Sequence, residues 1–86
     1  MLSREAQEVM RRMYRGDFLR IPHSDDDPET VGEEGVRTVR VLPNVARELE
    51  LSGQIRKLDR FGEHGQSGWS DLGLDGTTAS WYVCTQ

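Results

Sequence analysis

Between Ser3 and Arg15 the apolar residues recur at spacings of three and four, and this stripe constrains the fold more than any other stretch. Ala6, Val9, Met10 and Met13 fall on one side of a 3.6-residue helix, and Tyr14 widens that side. Arg4, Glu8, Arg11, Arg12 and Arg15 take the other side, with Glu8 one turn before Arg12. Ser3 is placed to cap the helix, Glu5 suits the positive end of its dipole, and Gly16 is a natural stop. A helix over 3–15 has to bury its stripe against a second element. The plainest second element is a strand over 79–85, where Trp81 and Val83 face one way and Tyr82 and Cys84 the other. The predicted class is therefore α+β.

The middle of the chain is written less clearly. Residues 18–21 are short and apolar and end at Pro22, as a brief strand or an extended connector does. Residues 23–35 are polar and acidic, and predict a flexible loop with room for a short helical turn between Pro28 and Glu34. Residues 28–42 are open between helix and strand: Val39 and Val41 alternate with Thr38 and Arg40, yet Thr30 or Thr38 could cap a helix. Pro43 argues against one continuous helix running through to residue 52, since it removes a donor and clashes with the turn before it. A second helix is predicted near 43–52, with Leu42, Val45, Ala46 and Leu49 on its apolar side and Gly53 ending it. Ile55, Leu58 and Phe61 predict a strand over 54–61. Residues 62–78, with five glycines, predict a long connection that Trp69, Leu72 and Leu74 could anchor. No internal repeat is visible.

Size limits what such a chain can do. Its 86 residues, 35% hydrophobic and 30% charged, make one domain with a modest core. No apolar run approaches the roughly 18–20 residues that span a bilayer, and the first residues lack the apolar stretch of a secretory signal. One cysteine, Cys84, forms no internal disulfide and is expected as a small buried hydrophobe. A cytoplasmic domain is the expectation. The net charge of −4 is unevenly spread. Residues 1–22 balance at +2, 23–35 at −6, 36–60 at +3 and 61–86 at −3, so a basic face can coexist with an acidic total.

The stretch from Val45 to Leu58 resembles the recognition-helix exit of winged helix-turn-helix domains. In that family a helix ends in a small-residue pair, an isoleucine or valine opens the first wing strand, and basic residues follow. Ser52-Gly53, Ile55 and Arg56-Lys57 take those places, and residues 80–85 match a returning second wing strand. The resemblance covers residues 43–85 and implies a small winged-helix-like domain over 1–86, its helices packed on a C-terminal antiparallel β-hairpin. It also implies a DNA-binding transcription regulator. Arg37, Arg40, Arg47, Arg56, Lys57 and Arg60 would contact phosphate, and an arginine or Asn44 would reach base edges. Such a regulator needs a homodimer for useful affinity.

Catalytic and metal chemistry find no organised pattern. His23 and His64 stand in loop-like surroundings, far from the single cysteine, without zinc spacing. Asp25, Asp27 and Glu29 alternate like the start of a calcium loop, but Thr30 stands where that loop needs glycine. No phosphate-binding glycine motif or catalytic triad context is present, and no cofactor or enzymatic activity is expected. The alternative to DNA is a protein-binding adaptor or inhibitor. In it Asp25, Asp26, Asp27 and Glu29 mimic phosphates and dock on a basic protein surface. By composition, tiny acidic domains of this kind are similar to phage or mobile-element accessory proteins. A contiguous basic patch over residues 40–60 would favour DNA; basic residues scattered among acids would favour protein.

Overall fold

A computed structural model of the chain describes residues 2–32 and 38–85. These form two helices and one five-stranded antiparallel sheet, in the order α1 (Arg4–Tyr14), β1 (Phe18–Pro22), β2 (Glu29–Val31), β3 (Thr38–Arg40), α2 (Pro43–Ser52), β4 (Ile55–Lys57) and β5 (Ala79–Cys84). Across the sheet the strands run β3-β2-β1-β5-β4. The expected pairing of the last two strands is present, with Ile55 opposite Cys84 and Lys57 opposite Tyr82. It forms one side of a larger sheet, because β5 also pairs with β1, Leu19 opposite Tyr82 and Ile21 opposite Ser80.

Helix α1 forms as its stripe requires. The Ser3 hydroxyl accepts the Ala6 amide at 3.2 Å, and Ala6, Val9, Met10 and Met13 are all buried. The exit is a Schellman turn: Gly16 takes φ 109°, its amide reaches the Met13 carbonyl, and the Asp17 amide reaches that of Arg12. Helix α2 opens on Pro43 and closes on Gly53 at φ 74°. Leu42 does not join its apolar side. As the extended residue before the proline it turns outward and is 56% exposed, while Val41 turns in and is 2% exposed. Both helices pack on one face of the sheet, where Leu19 and Ile55 complete a core with Val45, Ala46 and Leu49.

Residues 23–35 are not loop throughout, because Glu29–Val31 pairs with β1. Thr30 there is fully buried, its hydroxyl donating to the Val39 carbonyl at 3.5 Å. Among the described residues of 28–42 the outcome is two strands, β2 and β3. The 54–61 strand is shorter than expected. The strand itself is Ile55–Lys57; the Leu58 amide still donates to the Trp81 carbonyl at 2.8 Å and its side chain is buried, while Phe61 stays 62% exposed.

The connection after β4 folds back over the other face of the sheet. Leu58 and Trp81 are buried beneath it, and the Trp81 indole donates to the Asp75 carbonyl at 2.9 Å. Trp69 is half-buried and holds the connection through its amide, which donates to the Asp59 carbonyl at 2.8 Å. Phe18 meets Trp81 edge-on, ring centroids 6.3 Å apart, and the Arg20 guanidinium lies 5.9 Å over the indole. This second small core covers part of the sheet's other face.

One clasp ties the helices together. The Glu48 carboxylate accepts both the Ser3 amide, at 2.6 Å, and the Ser3 hydroxyl, at 2.7 Å. The amide bond first and the hydroxyl bond second hold Glu48 below the usual carboxylate range. Asp75 is lowered too, by the Thr77 hydroxyl and amide and then the Thr78 hydroxyl. A depressed folded pKa stabilises the fold above the unfolded pKa, near 4, and that contribution is lost as pH falls through the folded value. Thermal unfolding followed from pH 7 to about pH 2 should therefore drop below about pH 4. Glu48→Gln should flatten the drop, and Ser3→Ala should cost about 1 kcal/mol at neutral pH from the lost cap. An unchanged acid profile in Glu48→Gln would show that the clasp contributes nothing.

Candidate functional site

Among the described residues, the basic residues singled out from the sequence are spread over both edges and both faces of the sheet. Arg40 stands on β3 and Arg56 on β4, the two edges of the sheet, with three strands between them. At about 4.8 Å per strand, their backbones are about 19 Å apart. Arg56 and Lys57 are neighbours in sequence, but the pleat sends them to opposite faces: Arg56 away from the helices, Lys57 to the side of Ile55 and Tyr82. Asn44 and Arg47 are exposed on α2. Arg60 lies in the connection after β4, its guanidinium 5.2 Å over the Phe61 ring. Arg37 lies outside the described residues.

Carboxylates interrupt these positions. Arg40 is ion-paired with Asp27. Helix α2 carries Arg47 as its single base against Glu48 and Glu50, so it presents a net negative charge. Arg47 itself borders a cleft of about 420 Å³, floored by Ile21, Pro22, Pro28 and Ala46 and edged by Asp25, Asp26 and Glu50. The charge of Glu50, after burial, helps push the Tyr82 phenol above its ordinary range.

The acidic residues divide as well. Asp25 and Asp26 are exposed at the cleft, Asp26 being held by the Ser24 hydroxyl at 3.1 Å. Asp27 is occupied by Arg40. Glu29 sits on the sheet face away from the helices, 3.4 Å from Arg20. Two of the four acids expected for a protein contact thus share one apolar-floored cleft, and sequence spacing alone did not separate them from the other two.

His23 has partners its loop-like surroundings did not suggest. Its Nδ1 lies 3.3 Å from the Thr77 carbonyl and its Nε2 3.1 Å from the Ser80 hydroxyl. In the neutral ring Nδ1–H donates to that carbonyl, and Nε2 accepts from the serine. With the His23 amide bonded to the Thr78 carbonyl, the ring pins the end of β1 to the start of β5. Cys84 is half-buried against the core rather than fully enclosed, its Sγ 3.8 Å from the Met13 carbonyl.

Among the described residues, no group of three His, Cys, Asp or Glu side chains is gathered to hold a metal ion. No helix among them is long and apolar enough to cross a membrane. The chain matches no protein-family model, and searches of the curated proteins and of the solved structures return no match.

Proposed function

We propose that this domain is a non-enzymatic protein-binding module, an adaptor or inhibitor, that presents the Asp25–Asp26 cleft to a basic protein surface. The observation that carries this reading is the interleaving of charge. Among the described residues, the cations a duplex would need are spread over opposite edges and faces, while two exposed aspartates rim a cleft with an apolar floor. An apolar floor desolvates a partner side chain, and rim carboxylates steer and orient a cationic one. Arg47 and Glu50 on the far wall would set the register.

A winged-helix-like DNA-binding regulator, dimeric and cytoplasmic, is the second reading. In its favour are the exposed Asn44 and Arg47 on α2 and the exit through Gly53 into β4. Against it weighs the net negative charge of α2, which repels phosphate and lowers the association rate.

Capture experiments with the immobilised domain separate the two. Proteins retained by the wild type should fall at least about fivefold in the Asp25→Asn, Asp26→Asn double variant, and fall again with added salt, as rim charges require. Equal retention by both forms would remove the cleft from the account.

A further inference from the structure

We infer a second binding site at the opposite end of β1: a groove that accepts an extended segment of a partner protein, apolar in the middle and oppositely charged at its ends. The inference rests on the protein-binding reading, but on different residues. The groove, about 410 Å³, is walled by Tyr14, Phe18, Leu58, Leu72 and Val83. Tyr14 is 55% and Leu72 43% exposed, so two large apolar side chains from distant parts of the chain face solvent across one depression. The register aligns its floor. Leu19 lies opposite Tyr82 and Arg56 opposite Val83, so Phe18, Val83 and Arg56 form one row across β1, β5 and β4 on the face away from the helices.

Charge defines the occupant. Arg56 closes one end of the row and Asp17, beside Phe18, the other, and both line the groove. Neither side chain has an ion-pair partner among the described residues. Arg56 is half-buried, and a carboxylate in the groove would give its guanidinium a charge-assisted hydrogen-bond partner. The row spans two strand spacings, about 10 Å, and an extended peptide advances about 3.3 Å per residue. A segment of about four or five residues therefore reaches from Arg56 to Asp17, placing an acid at one end, a base at the other and apolar side chains over Phe18 and Val83.

The probe is an acetylated, amidated pentapeptide with glutamate first, lysine last and leucine, phenylalanine and leucine between, titrated into the full chain labelled for amide NMR. Shifts should centre on Tyr14, Phe18, Leu72 and Val83. An analogue with glutamine at both ends should bind about fivefold more weakly, the scale two partly exposed ion pairs supply. Arg56→Gln should remove most of that preference, and Leu72→Ser, at a position 43% exposed, should weaken both peptides. Absence of groove shifts at millimolar peptide, or equal affinity for the two peptides, would overturn the inference. Failure here while capture still depends on Asp25 and Asp26 leaves the first site standing; the reverse pattern removes the first site and keeps the groove.

Discussion

Replacing Leu49 with alanine should remove about 3–5 kcal/mol of stability, enough to unfold much of the population of a domain this small. Leu49 is 0% exposed, at the centre of the core that α1, α2 and β4 share. Truncation removes the transfer free energy of the deleted carbons and leaves a cavity between two helices and a sheet that cannot all close in at once. Leu51, two residues on, is the natural control. It is 79% exposed, and Leu51→Ala should stay within about 0.5 kcal/mol of the wild type. Urea unfolding of the two variants measures the contrast. A Leu49→Ala effect below about 1 kcal/mol would mean that the helices do not close over this core as described.

Gly68→Ala should be nearly as damaging, on the other face of the sheet. A Cβ at Gly68 would lie 2.5 Å from the Arg60 carbonyl oxygen, 2.6 Å from that of Asp59 and 2.6 Å from the Phe61 carbonyl carbon, all of them backbone atoms. These cannot yield without breaking the bonds that those two oxygens accept, from the Ser70 amide at 3.0 Å and the Trp69 amide at 2.8 Å. Overpacking of this kind costs about 2–3 kcal/mol. It should also free the connection from the sheet, so that the Trp81 indole loses the Asp75 carbonyl. Among the described residues, a Cβ at Gly32 meets only the Asp17 carboxylate, at an ordinary 3.7 Å, and Gly32→Ala should be tolerated. Urea midpoints and the Trp81 indole resonance report the difference. Equal stability of the two alanine variants would show that the connection does not pack against Asp59 and Arg60.

What could be read in the sequence follows the range of the interactions. Helices α1 and α2 were legible because their apolar spacing, caps and stops lie within a few residues of one another. The outer strands were not. Three residues are too few to show a period of two, and Glu29–Val31 is a strand because β1 lies beside it, in a stretch whose acids and prolines suggest loop. Leu42 left the apolar side of α2 because a proline at the first helical position fixes the residue before it as extended. At the candidate sites, Arg56 and Lys57 looked like one patch only until the pleat separated them. The groove had no linear signal at all, since Tyr14, Phe18, Leu72 and Val83 come from four separate elements or connections. Their one hint was the presence of large apolar residues at a helix end and in a glycine-rich stretch.

Dispersed, carboxylate-interleaved cations should direct this domain to protein rather than to nucleic acid. Titrating it to about 100 µM against random-sequence duplex at about 50 mM salt tests this directly, because phosphate contacts dominate there and non-specific binders are half-saturated between about 1 and 100 µM. No measurable complex is expected, and no gain when Arg47 is replaced by alanine. It would be contradicted by a complex that Arg47→Ala and the Arg56→Ala, Lys57→Ala pair each weaken, with the salt slope falling by about 0.9 for every phosphate no longer neutralised.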